Sequence, residues 1–93
     1  MSPYKPFLQS TLTAYAKTYR KEKRYTQENM AELLEIDVRS YSDLEHGIYC
    51  FSAVTLIFLL LLLTDAELQQ LLAQLGTAKR EADRAYECHL LSV

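Results

Sequence analysis

Glycine and proline, the residues that most often interrupt helices, are scarce in this chain. Its 93 residues include two of each, and both prolines, Pro3 and Pro6, lie at the N-terminal end. A sheet protein needs many tight turns, and such turns are rich in these residue types. No alternating stretch of Val, Ile and Thr appears either. The sequence therefore predicts an all-α fold, and its length allows one domain but not two.

Helix boundaries follow from apolar spacing and from the residues that start and end helices. Ser, Thr and Asp side chains accept backbone N–H groups at helix starts, and Gly adopts the left-handed conformation that follows many helix ends. We predict five to six helices: residues 8–23, a short helix after the cap Thr26, residues 38–46 after the cap Asp37, residues 52–63, a helix from the cap Thr64 to Gly76, and residues 78–91.

These helices divide the chain into three parts. Residues 1–7 are expected to form a flexible lead, residues 8–76 the main domain, and residues 77–93 a C-terminal helix. The apolar face of that last helix is weak. We expect it either to cover the core of its own chain or to contact a second copy of the protein.

The stretch from Ala53 to Leu63 is almost wholly apolar, but it is too short to cross a membrane. It holds 11 residues, whereas a spanning helix needs about 20. Pro3, Lys5 and Pro6 stand where the apolar part of a secretion signal would begin. We therefore expect a buried helix and a cytoplasmic protein without membrane contact.

Two cysteines, Cys50 and Cys88, are too far apart in the sequence to form a metal-binding knuckle. In a cytoplasmic protein they are expected to stay reduced. The chain also lacks a Gly-rich phosphate loop and any supported Ser/His/Asp or Cys/His arrangement. We expect no enzyme activity, no metal and no cofactor.

Charge is distributed unevenly along the chain, although the net charge is only −2. Residues 1–40 contain seven Lys or Arg against five Asp or Glu, and residues 41–93 contain three against seven. Five of the ten basic residues fall between Lys17 and Arg24. Such a cluster is either a solvated helix end or a set of contacts to nucleic-acid phosphates, and both interpretations stay open.

The segment that follows this basic cluster carries a recognisable motif. Its elements are Thr26-Gln27, Met30-Ala31, Leu34, then Ile36, the polar cap Asp37, Arg39-Ser40-Tyr41, and Leu44-Glu45 with Gly47 two residues further on. The segment resembles the helix-turn-helix of the Cro/phage-repressor-like (XRE-type) family of transcriptional regulators. With the flanking helices the resemblance covers about residues 8–75. It implies a lambda-repressor-like DNA-binding domain.

Residue sizes in the motif suit two helices that cross closely. Ala31 is small enough to permit close contact, and Ile36 and Tyr41 can fill the wedge between the helices. Met30, Leu34 and Leu44 are expected on the inward faces. The solvent side of the second helix then stays free to enter a DNA major groove, which is about 12 Å wide.

The resemblance assigns contacts to double-stranded DNA residue by residue. Arg39 can pair with guanine O6 and N7, Val38 can pack on a thymine methyl, and Asp43 can accept from cytosine N4 or orient Arg39. Gln27 either meets a phosphate or base at the edge of the site or is simply a polar helix start. The predicted DNA-binding residues are Gln27, Val38, Arg39, Ser40, Ser42 and Asp43, with Lys21, Lys23 and Arg24 at the phosphates.

The chain departs from the family pattern at several positions. Glu35 stands where the turn usually has Gly, and a non-glycine residue in the left-handed conformation costs about 1 kcal/mol. Arg24 stands where Gly usually precedes the first helix of the motif. The loop from Ile48 to Cys50 carries no charge, although the family often places phosphate-binding cations there.

The fourth predicted helix is apolar on more than one side. The family pattern directs Ala53, Leu56, Ile57, Leu60 and Leu63 into the core. The remaining apolar residues would form an exposed patch that needs a cover. That cover is the last helix, a second copy, or both. Because readers of this type commonly bind paired half-sites as two-fold dimers, we predict a homodimer. Its interface residues are expected to be Val54, Phe58, Leu61, Leu62, Tyr86 and Leu90.

The sequence favours a DNA-binding transcriptional regulator, a repressor or autoregulator of bacterial or phage type. The alternative is a helical protein-interaction module, antitoxin-like or inhibitor-like, with the same fold and weak or no DNA binding. The acidic C-terminal half and the uncharged loop favour this alternative, in which a protein partner replaces DNA.

Overall fold

The chain folds into five α-helices, seen in a computed structural model that describes residues 3–91, with side chains through Glu87. The helices are α1 (Tyr4–Glu22), α2 (Gln27–Leu34), α3 (Val38–Glu45), α4 (Ala53–Leu62) and α5 (Asp65–Leu91). No strand occurs in the described range. The predicted all-α fold is therefore confirmed. The side chains of Cys88, His89 and Leu90 lie outside the described part of the chain. The predicted role of Leu90 in a dimer interface therefore concerns a side chain that the structure does not describe.

Side-chain caps start α2, α3 and α5 where the sequence placed them, and Ser52, which was predicted as the first residue of the fourth helix, caps α4. Each capping oxygen accepts a backbone N–H of the first turn, which otherwise has no intrahelical acceptor. The cap-to-backbone pairs are Thr26–Asn29 at 3.0 Å, Asp37–Ser40 at 2.8 Å, Ser52–Thr55 at 3.2 Å and Thr64–Glu67 at 3.2 Å. The side chain of Glu67 returns a bond to the N–H of Thr64, as the capping-box pattern predicts.

Helix α1 begins at Tyr4, whereas its apolar spacing predicted a start at residue 8. The hydroxyl of Tyr4 donates to Asp83 Oδ1 at 2.7 Å, which fastens this first turn to α5. Pro6 is tolerated because the first N–H groups of a helix have no partner to lose. The segment 4–7, assigned to the flexible lead, is therefore helical.

Helix α5 is continuous through Gly76, so the predicted break into two helices at this residue is wrong. A glycine inside a helix costs about 1 kcal/mol relative to alanine, and packing on both sides of it outweighs this cost. Leu71 precedes Gly76 and Ala82 follows it, and both are fully buried. Helix α5 runs antiparallel to α1, because Tyr15 donates to the Glu67 carbonyl near one end and Tyr4 bonds to Asp83 near the other.

The core forms where α1, α2 and α3 meet the two C-terminal helices. Its largest fully buried side chains are Met30, Leu34, Tyr41, Leu59 and Leu71. The inward positions predicted for Met30, Ala31, Leu34, Tyr41 and Leu44 are confirmed, since all five are buried. No helix in the described part of the chain is both long and apolar enough to span a membrane.

Helix α4 turns a face to the core that matches the predicted one only in part, since Leu56, Leu60 and Leu63 pack against the core as predicted. Thr55 and Leu59 are buried, while Ala53 and Ile57, which were predicted to lie inside, are exposed. Conversely, Phe58 and Leu62 pack against the core, although they were predicted to lie on the outer side. Because almost every residue of α4 is apolar, its sequence carries no periodicity from which the inward face can be read.

An exposed apolar stripe nevertheless remains on α4. It consists of Val54, Ile57 and Leu61, which are 61%, 53% and 76% exposed. Their spacing of three and four residues places them on one side of the helix. We call these three residues the α4 stripe. Val54 and Leu61 were predicted to face outward, and Ile57 was not.

Candidate nucleic-acid interface

The turn between α2 and α3 is built on a left-handed residue. Glu35 has φ 57° and ψ 42°, so the predicted conformation of this non-glycine residue is confirmed. The N–H of Ile36 donates to the Ala31 carbonyl at 3.0 Å, and Asp37 then caps α3. Arg24, which precedes α2, is also left-handed, with φ 60°. The short turn brings α3 across α2, with Ala31 and Tyr41 buried.

A buried polar network joins α1, α2 and α3 at Glu45. Arg20 donates to both carboxylate oxygens of Glu45, from Nε at 2.6 Å and from Nη2 at 3.1 Å. Gln27 Nε2 donates to Oε1 at 3.2 Å, and the Tyr41 hydroxyl donates to Oε2. Burial raises the pKa of Glu45, but the bonds from Arg20, Tyr41 and Gln27 lower this pKa below its ordinary value. The carboxylate is therefore held in its charged form.

The outward side of α3 is open to solvent. Val38 is 43% exposed, and Arg39 is exposed as well. Ser40 is exposed, but its backbone N–H and hydroxyl both bond to the Asp37 carboxylate. Ser42 and Asp43 are half-buried. Val38, Arg39 and Ser40 are thus exposed at the start of α3, whereas Ser42 and Asp43, further along the helix, are only partly accessible.

Gln27 and Lys23 have protein partners that the sequence did not reveal. The Gln27 amide donates to Glu45, so one of its donors already serves the buried network. Lys23 forms an ion pair with Glu67 at 3.0 Å, and its ammonium lies 5.4 Å from the centre of the Tyr19 ring. Both partners lie far away in the sequence, which explains why local patterns could not show them.

The basic cluster at the end of α1 is only partly available for phosphates. Arg20 is bound to Glu45, and Lys23 is bound to Glu67. Lys17, Lys21 and Arg24 are exposed and have no ion-pair partner among the described residues. Of the three basic residues predicted to contact phosphates, Lys21 and Arg24 are therefore the ones whose positive charge is not paired with an acidic side chain in the described part of the chain.

The two-helix unit itself is acidic, a feature that the charge counts over residues 1–40 and 41–93 do not reveal. Between Thr26 and Gly47 there are six Asp or Glu residues, and Arg39 is the single Lys or Arg. Three of the acids, Glu28, Glu32 and Glu35, are exposed along α2. A count confined to these residues would have found this charge, whereas counting over residues 1–40 combined it with the basic end of α1.

Two side chains of α1 that belong to no predicted site bond to the end of α3. Gln9 Nε2 donates to the Gly47 carbonyl at 2.9 Å, and Thr13 Oγ1 donates to the Leu44 carbonyl at 3.1 Å. These bonds lie at the opposite end of α3 from Val38 and Arg39. The helix is thus held at its C-terminal end and exposed at its N-terminal end.

A short two-helix unit, fixed from inside and open on the outer side of its second helix, defines a DNA-binding helix-turn-helix domain. The family model described as helix-turn-helix matches residues 17–64, which is just over half of the chain. The chain therefore belongs to this XRE/Cro-like helix-turn-helix family, which is a family of DNA-binding regulators. No curated protein and no solved structure matches the chain.

Proposed function

We propose that the protein is a sequence-specific transcriptional regulator, a repressor or autoregulator, that places α3 in the major groove of operator DNA. The observation that carries this proposal is the two-sided character of α3. Val38 and Arg39 are exposed at its start, while Tyr41 and Leu44 are buried on its inner side. Recognition helices of this type contact base edges with their N-terminal residues.

Arg39 is the proposed main determinant of base preference. It is exposed, and it has no ion-pair partner among the described residues, so its guanidinium can approach guanine O6 and N7 together. Val38 beside it offers a surface for a thymine methyl. Asp43 lies four residues further along the same helix and can orient the guanidinium.

Phosphate contacts are proposed for Lys21 and Arg24, which have no ion-pair partner among the described residues. Ser40 can donate its hydroxyl to a phosphate only by giving up its bond to the Asp37 carboxylate. This set is small, so the salt dependence of DNA binding should be shallow, because its slope follows the number of phosphates neutralised. The acidic residues of α2 lower the affinity for DNA of any sequence by repelling the phosphates.

We propose a homodimer in which the α4 stripe of one copy meets that of the other. Three large apolar side chains on one side of a helix are costly to leave in water, since each buried Leu or Ile contributes about 1.5–3 kcal/mol. A two-fold dimer would present two copies of α3 to half-sites about 34 Å apart. Phe58 and Leu62 are excluded from this interface because they pack against the core of their own chain. Tyr86 is exposed on α5 and stays a candidate.

A second candidate function is supported by the acidity of the two-helix unit. Four exposed acidic residues against Arg39 make the surface of the two-helix unit a poor match for a phosphate backbone and a suitable one for a basic protein surface; they are Glu28, Glu32, Glu35 and Asp37. In this alternative the protein is an interaction module, antitoxin-like or inhibitor-like, with weak or no DNA binding.

The test is selection of binding sites from random duplex DNA at low salt, followed by measurement of affinity for the selected site and its single-base variants. We expect a selected site with two related halves. Arg39→Ala should reduce discrimination at one base pair of each half by about 5- to 100-fold, the factor expected for loss of a bidentate contact. Arg84→Ala, at an exposed arginine of α5, is the matched control and should leave discrimination unchanged.

Two results would contradict the DNA-binding proposal. The first is that no sequence is enriched and the wild-type protein does not bind duplex DNA at low salt, which would favour the interaction module. The second is that Arg39→Ala discriminates among base pairs as well as the wild type does, which would remove α3 as the reading element.

A further inference from the structure

We propose that Gln9 and Thr13 of α1 are positioning residues. They fix the register of α3, that is, its position along α1, so that its N-terminal residues can contact DNA bases. We call these two residues the α1 donor pair. The part of this inference that concerns DNA rests on the proposed function. The part that concerns the placement of α3 stands on the geometry of the protein alone.

The α1 donor pair lies on one side of α1, because its members are four residues apart. Gln9 donates to the carbonyl of Gly47 at 2.9 Å, and Thr13 donates to that of Leu44 at 3.1 Å. Arg20, further along α1, binds Glu45. Three polar side chains of one helix therefore bond to the last residues of α3 and to the glycine that follows.

These bonds fix α3 in a way that apolar packing does not. Apolar burial has no preferred direction, so it restricts the position of one helix against another less sharply than a hydrogen bond does. A hydrogen bond to one particular carbonyl restricts both distance and angle. The acceptors of the α1 donor pair are also fixed in the chain, since Gly47 donates to the Leu44 carbonyl and has φ 71°.

The C-terminal end of α3, which the α1 donor pair holds, is called the anchored end, and the N-terminal end, which is proposed to contact bases, is called the reading end. A small change at the anchored end becomes a larger displacement at the reading end. Val38 lies six residues before Leu44 along α3, which corresponds to about 9 Å at a rise of about 1.5 Å per residue. A tilt of about 10° at the anchored end would move groups at the reading end by about 1.5 Å. Such a shift breaks a bidentate contact, whose hydrogen bonds tolerate only a few tenths of an ångström.

The test uses the full chain and a double variant, Gln9→Met with Thr13→Val, which keeps side-chain size but removes both donors. The matched control is Thr18→Val with Gln69→Met, at exposed positions of α1 and α5 that have no described hydrogen bond. The first measurement is amide hydrogen exchange of His46, Gly47 and Ile48, whose N–H groups bond to carbonyls of α3. The second is discrimination between the selected DNA site and its single-base variants.

We expect exchange of these three amides to rise by about fivefold for each donor removed, with the amides of α5 unchanged. We also expect at least a fivefold loss of base discrimination, while affinity for DNA of unrelated sequence stays the same. The control variant should match the wild type in both measurements.

The inference is overturned if exchange at the end of α3 matches that of the control, or if it rises equally in all helices. It is also overturned if exchange rises locally but base discrimination is retained. If the wild type selects no DNA sequence, the proposed function fails, and the exchange measurement still decides whether the α1 donor pair holds α3.

Discussion

Glu45 is the residue through which the two-helix unit is joined to α1. Its carboxylate accepts bonds from Arg20 of α1, Gln27 of α2 and Tyr41 within α3, and its side chain is only 3% exposed. A buried charge that loses its partner is strongly destabilising. Burial raises the pKa of Tyr41, as does its hydrogen bond to Glu45, so the phenol remains a donor. Glu45 thus stabilises the placement of α3 from the interior of the protein.

The lowered pKa of Glu45 predicts how stability depends on pH. As the pH falls, the unfolded state binds the proton first, so the contribution of Glu45 is complete above its ordinary pKa of 4.5 and is lost as pH falls through the folded pKa. We expect Glu45→Gln to lower the free energy of unfolding by about 3 kcal/mol at pH 7 and to flatten its decline below about pH 5. Urea unfolding between pH 3 and pH 7 measures both effects.

The control for this prediction is Glu81→Gln, at an exposed position of α5, which should follow the wild-type curve. Some decline should remain in Glu45→Gln. A backbone bond from Ser40 lowers the pKa of Asp37, and a backbone bond from Thr64 lowers that of Glu67. Equal slopes for wild type and Glu45→Gln would show that the carboxylate is not held charged by the network.

At the scale of elements, α5 shows how packing overrides a local signal. Gly76 has the residue type that ends many helices, but Leu71, Ala78 and Ala82 are buried on either side of it. Breaking α5 at Gly76 would lose one of these two packed segments. Gly47, in contrast, does end α3, with φ 71°.

The two glycines should therefore respond to alanine in opposite directions. At Gly76 an added Cβ would lie 3.5 Å from Arg80 Nη1, an ordinary contact, so Gly76→Ala should raise the free energy of unfolding by about 0.5–1 kcal/mol. Gly47→Ala should lower it by about 1 kcal/mol or more, because φ 71° is unfavourable for alanine although nothing lies within 4 Å. Chemical denaturation of both variants gives the comparison, and a shift in the same direction would contradict it.

The capped starts of α2, α3 and α5 and the turn between α2 and α3 could be predicted from the sequence because each depends on a few adjacent residues. The caps Thr26, Asp37 and Thr64 are examples, as is the left-handed Glu35. The inward face of α4 could be predicted only in part, since an almost wholly apolar helix has no clear pattern to indicate it. Docking against the rest of the core decides the orientation instead.

Within the candidate site, the sequence could predict only those residues whose proposed role requires exposure to solvent and no partner within the protein. Arg39 and Val38 lie on the open face, as the motif predicted. Gln27 and Lys23 have structural partners on α3 and α5 that are 18 and 44 residues distant in the sequence. Hydrogen bonds and ion pairs between remote segments are set by tertiary packing, and no local spacing encodes them.

At the scale of the whole molecule, the α4 stripe determines the proposed assembly. Leu61→Gln should raise the dissociation constant of the homodimer at least about tenfold, because each copy loses a buried apolar side chain at the interface. Sedimentation equilibrium over a range of protein concentrations measures this constant. The loss should also weaken binding to a two-half DNA site more than to a single half.

Leu33→Gln provides the matched control, since Leu33 is an exposed leucine on α2, outside the α4 stripe. It should leave the association of the chain unchanged. A wild-type protein that remains monomeric at high concentration would contradict the proposed dimer, as would a Leu61→Gln variant that associates normally.

The antiparallel pairing of α1 with α5 also bears on which part of the chain is an independent folding unit. The segment 17–64 that carries the family match begins inside α1 and ends before α5. Excised on its own it would lack Tyr15, Leu71 and the bond between Tyr15 and the Glu67 carbonyl. The segment that matches the family therefore depends for its folding on residues outside the match. A shortened version of the protein must retain both α1 and α5 in order to fold.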